Sequence, residues 1–431
     1  MFIRLLVLFT FLFVLSSLTF AQADKDARYY EAAARKAYQE KNYEAFLDNI
    51  KLAAELRPNH PRLMYNLAVA YALNGKSSDA IAVLRKQAEM GLLPPVAANP
   101  DLRLLQTSPE FGALISRIAQ NKEPKISSTP AFTLKEKGLV PESVAYDEDT
   151  GVFYLSSVYK RRILSVAKNG ESKVFADETV GLWSVLGMKV DRARRALWVC
   201  TSAHPQMSNF DPADKGKTAI IKFDLKTGKL LARYQPADTT KPHFFGDLVI
   251  NSAGDVFTTD SATPIIYVIK HDSSQIETFL EGPPFVSLQG LDFTPDQKQM
   301  FVADYSMGVF LIDLTTKKVR EIKSDFTQLG IDGLYYYKGS LIGVQNGVDP
   351  QRVIKMTLSK DLGRFNRFEI IEVNNPVFDE PTLGVLVKDE FYFVANSQWG
   401  MVDETGKLAP EEKLKDPVVL KVKLSVPSGT R

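Results

Sequence analysis

The feature that most constrains this chain is a pair of short apolar strands that recurs six times between residues 142 and 395. The first copy is Glu142-Ser143-Val144-Ala145-Tyr146 with Val152-Phe153-Tyr154-Leu155. The fourth is Gln289-Gly290-Leu291-Asp292-Phe293 with Met300-Phe301-Val302-Ala303. Copies begin at Glu142, Leu186, Asp247, Gln289, Asp332 and Thr382, spaced 44, 61, 42, 43 and 50 residues apart. Two further strands follow most pairs, as at Gly308 to Asp313 and Lys318 to Ile322. Four strands in every ~40–50 residues is the signature of a propeller, whose units bury their faces by stacking on one another. The region 131–424 is therefore read as a six-bladed β-propeller. Its last unit offers only one more strand, Val418 to Leu424, and Ala131-Phe132-Thr133-Leu134 is expected to complete it, because closure removes an exposed sheet edge. The longest interval holds an extra loop, His204 to Lys217, expected to lie on one face.

Ahead of the propeller the texture is helical. Apolar residues recur at three- and four-residue steps, as at Tyr30, Ala33, Ala34 and Ala37. Lys41 to Ala45 aligns with Lys76 to Ala80, and Ala54-Glu55 with Ala88-Glu89, at offsets of 35 and 34 residues. A helix-turn-helix period near 34 resembles the tetratricopeptide repeat. The fold class is thus multidomain, α then all-β: a tetratricopeptide-like helical domain over 24–121, a linker over 122–130, the propeller, and a tail over 425–431. Asn99 to Ile118 is expected to add a capping helix. Residues 1–23 read as a signal peptide, with Arg4, an apolar run from Leu5 to Leu18, and Ala21-Gln22-Ala23 as the cleavage site. That places the remaining chain in the periplasm or secreted medium, with no membrane insertion after cleavage.

Charge is nearly balanced, 53 basic against 51 acidic residues, which gives no case for nucleic acid or an anionic membrane. The single cysteine, Cys200, lies in an apolar strand and reads as packing. There is no GxSxG, GxGxxG or P-loop. Lys160-Arg161-Arg162 and Arg192-Ala193-Arg194-Arg195 read as solvated loop charge, and Trp183 and Trp399 as core or a ligand rim.

The innermost strands of a propeller begin near its axis, so equivalent positions converge there. They bring Glu142, Asp247, Gln289 and Asp332 to one level, with Leu186 and Thr382. Carboxylates so close repel, and either a cation or a proton must relieve them. All-oxygen ligands suit Ca²⁺ first, and Mn²⁺ or Mg²⁺ next. With four His and one Cys, a zinc site is not expected. The other reading of these acids is strand capping in a wet channel.

These units resemble the senescence marker protein 30, gluconolactonase and luciferin-regenerating-enzyme family of six-bladed propellers. Pro141-Glu142-Ser143-Val144 looks like that family's first-blade motif with its metal-ligating Glu. Gly330-Ile331-Asp332-Gly333-Leu334 matches its PDG-type motif, whose Asp ligates the metal. Ser287-Leu288-Gln289-Gly290-Leu291-Asp292 matches the NGL-type motif, with Gln289 in the place of Asn. The family's third-blade Asn-Asp pair reads here as Gly246-Asp247, preceded by Phe244-Phe245. The resemblance implies a divalent-metal lactonase or esterase: Glu142, Gln289, Asp332 and Asp247 as ligands, Asp332 or Asp247 as general base, and a lactone or ester as substrate. Phe244, Phe245 and His243 would form a substrate pocket suited to a less polar ligand than a sugar lactone. The alternative is a non-catalytic propeller that binds a ligand or protein, with the helical repeats engaging a protein partner.

Overall fold

The computed structural model describes residues 26–282 and 284–424. The signal-peptide reading of 1–23 and the tail at 425–431 therefore lie outside the described residues. Among the described residues, no helix is long and apolar enough to cross a membrane.

Helices come first: α1 (Ala27–Gln39), α2 (Tyr43–Leu56), α3 (Pro61–Leu73), α4 (Ser77–Glu89) and α5 (Phe111–Asn121). A 3₁₀ helix, Pro100–Thr107, precedes α5. The Asp26 side chain accepts from the Tyr29 N–H and that of Asn42 from the Ala45 N–H, satisfying amides that α1 and α2 would otherwise leave open. Buried Ala34, Ile50, Ala68 and Leu84 mark the shared core, where small residues let the helices approach closely.

The propeller follows, as six four-stranded antiparallel sheets. The inner strands are Val144–Asp147, Ser184–Asp191, Phe245–Ile250, Leu288–Phe293, Ile331–Tyr337 and Gly384–Val387, giving blades one to six in order. Blade six takes Ser128–Thr133 as its outer strand, paired with Val418–Lys423, so the two ends of the propeller close one sheet. Neighbouring inner strands approach backbone to backbone. A Cβ on Gly290 would lie 2.5 Å from the Leu334 amide nitrogen, and one on Gly187 2.6 Å from the Gly246 carbonyl oxygen. Only glycine fits there, which explains its recurrence at the second position of the repeat.

Two basic clusters have defined partners instead of lying free in loops. Arg195 makes two hydrogen bonds to Asp147, of 2.8 and 2.7 Å, and Arg192 reaches Glu148 and Asp149, clasping blade two to blade one. Lys160 and Arg162 both pair with Glu136. Residues 122–130 are likewise anchored and do not act as a free tether: Lys125 bridges to Val373, and Ser127 and Ser128 donate to the Glu372 carboxylate. Cys200 is fully buried, and burial pushes its thiol pKa up.

The helices dock on blades four and five. Met64, Met90 and Leu92 join a cluster with Phe301, Leu311 and Ile354. The buried Arg352 guanidinium donates to the Met90 carbonyl at 2.8 Å, and Arg57 to the Ser306 carbonyl at 2.6 Å.

Candidate functional site

Bulges early in the inner strands decide which residues share a level. The first regular pairs after them are Met188 with Val199, Leu248 with Thr258, Leu291 with Val302 and Leu334 with Gly343. Two residues before each stand Leu186, Gly246, Gln289 and Asp332. In blades one and six the same count from Val144 and Gly384 gives Glu142 and Thr382. The ring is therefore Glu142, Leu186, Gly246, Gln289, Asp332 and Thr382. Asp247 falls one step along, where the other middle blades have glycine, and its Oδ1 lodges against Gly187 of blade two.

Glu142 and Asp332 act on each other across this ring. Burial, and then Asp332, hold the Glu142 carboxyl well above the usual carboxylate range. Burial pushes Asp332 up to about 7. Each is fixed through one oxygen. Trp399 Nε1 and Ser397 Oγ donate to Glu142 Oε2 at 2.8 and 3.4 Å. Asn346 Nδ2 donates to Asp332 Oδ2 at 2.9 Å, and the Tyr305 hydroxyl donates to Asn346 Oδ1 at 3.0 Å. A further acid, Glu380, acts on both carboxyls, and burial raises its own pKa as well. Its backbone is left-handed, φ 65°, an unfavourable conformation for a non-glycine residue.

A second polar layer lies below. Lys189 Nζ is 3.5 Å from Asp247 Oδ1 and 5.1 Å from the centre of the Tyr335 ring. Asp247 Oδ1 also accepts from the Leu248 amide, while its buried Oδ2 has no partner among the described residues. Burial raises the Asp247 pKa and pushes Asp292 up to about 6. Sequence reading had no role for Lys189, Asp292 or Tyr335. Each stands three residues after a ring position, so the repeat itself carried the signal.

The three residues expected to line a pocket separate in space. Phe245 is fully buried and packs on Tyr267 as core. Both ring nitrogens of His243 are engaged, Nδ1 with Asp260 at 2.6 Å and Nε2 with the Asp238 carbonyl at 2.8 Å, which leaves it a structural residue. Phe244 does reach the ring end. Its ring lies 5.4 Å from that of His204, which stacks 5.3 Å from Trp399. His204 comes from the extra loop of blade two, and burial pushes its pKa down to about 4. Phe244, His204 and Trp399 thus form an aromatic wall that ends at Glu142.

Among the described residues, no group of three His, Cys, Asp or Glu side chains is arranged to hold a metal ion. A cation at the ring would rest on two carboxylates, Glu142 and Asp332, and on the Gln289 carboxamide. Gln289 Nε2 points to Ser287 at 3.4 Å, and its Oε1 has no donor among the described residues. That set fits a hard divalent ion whose shell is filled by water or substrate. Asp247, turned toward Gly187 and Lys189, is a poorer ligand at this level.

No protein-family model matches the chain, and no curated protein matches it. Solved structures do share its form. A gluconolactonase from Xanthomonas campestris is 16% identical, over 70% of this chain and 94% of that one, with a TM-score of 0.47. Luciferin-regenerating enzyme is 14% identical, over 70% and 98%, with a TM-score of 0.46. Virginiamycin B lyase from Staphylococcus aureus is 14% identical, over 70% and 100%, with a TM-score of 0.47. The six four-stranded blades are shown by this chain's own strand pairing, and a helical region precedes them.

Proposed function

We propose that this chain is an exported hydrolase of a lactone or ester, working at the axial ring with a divalent cation held by Glu142, Gln289 and Asp332. The observation that carries this reading is the buried pair Glu142 and Asp332, each fixed through one oxygen and raised in pKa, with no basic side chain hydrogen-bonded to either among the described residues. A bound cation would polarise the substrate carbonyl and steady the oxyanion that forms there.

The chain's own residues do the rest. Asp332 takes a proton from the attacking water while Asn346 holds its other oxygen. The water oxygen bonds to the acyl carbon, the bond from that carbon to the leaving oxygen breaks, and the leaving oxygen takes the proton from Asp332. Glu142, oriented by Trp399 and Ser397, remains a ligand. Asp247 is less suited as base, because Leu248 N–H and Lys189 engage its Oδ1 a step below the ring. The wall of Phe244, His204 and Trp399 favours an apolar flank on the substrate.

One observation favours a second reading, a propeller that binds without turning over. Gly246 leaves blade three with no side chain in the ring, so an aromatic wall stands where a polar contact to substrate would help orient it.

Calorimetric titration with Ca²⁺, Mn²⁺ and Mg²⁺, on the parent and Glu142→Gln, tests the cation. A panel of lactones and aryl esters, run with the bound ion, tests the chemistry. Binding in the parent alone, together with turnover, is expected. Binding of equal strength in Glu142→Gln would sink the cation site, and a bound ion without turnover would leave the binding reading.

A further inference from the structure

The helical region and the propeller enclose a cleft of about 650 Å³, within the size range of small-molecule sites. Leu63, Leu93 and Pro94 line the helical side, and Met307, Leu329 and Val348 the propeller side. Its charged groups are not alike. Arg62 is matched by Glu31 at 3.0 Å, and Arg28 lies 3.8 Å from Asp26. Arg57 is half-buried and makes its hydrogen bonds to the Ser306 carbonyl and the Met307 sulfur, at 2.6 and 3.1 Å. No carboxylate pairs with it among the described residues, and Glu321 and Asp304 act on it only from further off. A guanidinium drawn partly out of water beside apolar walls is an incomplete arrangement, and an anion would complete it.

We propose that this cleft binds an amphipathic acid, with one carboxylate head at Arg57 and an aliphatic body along Leu63, Pro94 and Val348. The head follows from Arg57, the cation in the wall that has no carboxylate within ion-pair distance among the described residues, and the body from the apolar sides. The site does not depend on the hydrolase reading. It does adjoin the ring through Tyr305, which lines the cleft and whose hydroxyl donates to Asn346, the residue that holds Asp332. The helical region thereby gains a binding role of its own.

The probes are decanoate, decanol and decyltrimethylammonium, titrated calorimetrically into the full chain. Decanoate is expected to bind at least about tenfold tighter than decanol, and the cationic amphiphile weakest. Absence of decanoate binding, or equal affinity for all three, overturns the proposal without any variant. Arg57→Met keeps most of the aliphatic stem and should lose the preference for decanoate over decanol. Val348→Trp fills the cleft and should abolish binding of decanoate and decanol alike. If a folded Val348→Trp still binds decanoate, or Arg57→Met keeps the preference, the ligand sits elsewhere and the proposal is wrong. Cation affinity at the ring, measured in both variants, should stay unchanged, so a failure there is read separately.

Discussion

Asp147 and Asp332 are both carboxylates of the propeller's inner strands, and the protein treats them in opposite ways. Asp147 receives two bonds from Arg195, one from the Thr150 hydroxyl and one from the Asp149 amide, and Arg195 above all holds its pKa down to about 2. Asp332 receives one amide donor, and burial drives it up to about 7. Satisfying an acid is within reach of this sequence, since it does so at the rim between blades one and two. Glu142, Asp332 and Glu380 are left short of positive charge at the axis, and the proposed cation site rests on that difference.

The contrast can be broken most sharply at the axis. Asp332→Asn should lower hydrolysis by about 10²–10⁴-fold, the usual worth of a general base, while the variant unfolds at the same or a higher denaturant concentration than the parent. Lost activity accompanied by a large loss of stability would make Asp332 a structural acid like Asp147. Next in size, Arg195→Ala should cost about 3 kcal/mol in urea unfolding, because it strands a buried carboxylate, and leave cation affinity at the ring untouched. If affinity falls too, the two regions are not independent.

A pH titration sharpens the same comparison. The folded-state pKa of Asp147 lies below its unfolded value, so its contribution is present above about pH 4 and drains away as pH falls through about 2. With solvent at the outer edge of Arg195 screening part of it, about 1–2 kcal/mol should disappear over that window. The loss should be absent from Arg195→Ala, as denaturant midpoints between pH 2 and 5 would reveal. The smallest effect belongs to Trp399→Phe. Removing one hydrogen bond to Glu142 Oε2 should weaken cation binding by about fivefold, near 1 kcal/mol, by calorimetry. No change would remove the indole from the account of Glu142.

The blade count and the closing strand were legible because each unit repeats its apolar pattern and turns within ~40–60 residues, a short-range signal. Glu142, Gln289 and Asp332 were legible for the same reason. Asp247 was placed one residue out of register, because a bulge inserts a position that alternation alone cannot register. Lys189, Asp292 and Tyr335 were overlooked although they recur at one offset, since a charged or aromatic residue inside an apolar strand looks like ordinary variation. Glu380 and His204 have no repeat behind them, and only the folded chain carries them to the ring, whereas Trp399, read from the sequence as core or a ligand rim, is found donating to Glu142. His243 and Phe245 were assigned to a pocket by adjacency to Phe244. Neighbours along a strand point to opposite sides, and the pocket kept one of the three.

The strand that seals the propeller, Ser128–Thr133, is made early, while its partner Val418–Lys423 is the last described element of the chain. During synthesis it waits, without its strand partner, until the other strands of the propeller have emerged. A ribosome stalled before residue 418 would leave two raw edges, one at each end of the toroid, both ready to recruit another chain. Closure of the propeller thus waits on the Val418–Lys423 strand, and termination before it should yield aggregates instead of a smaller working molecule.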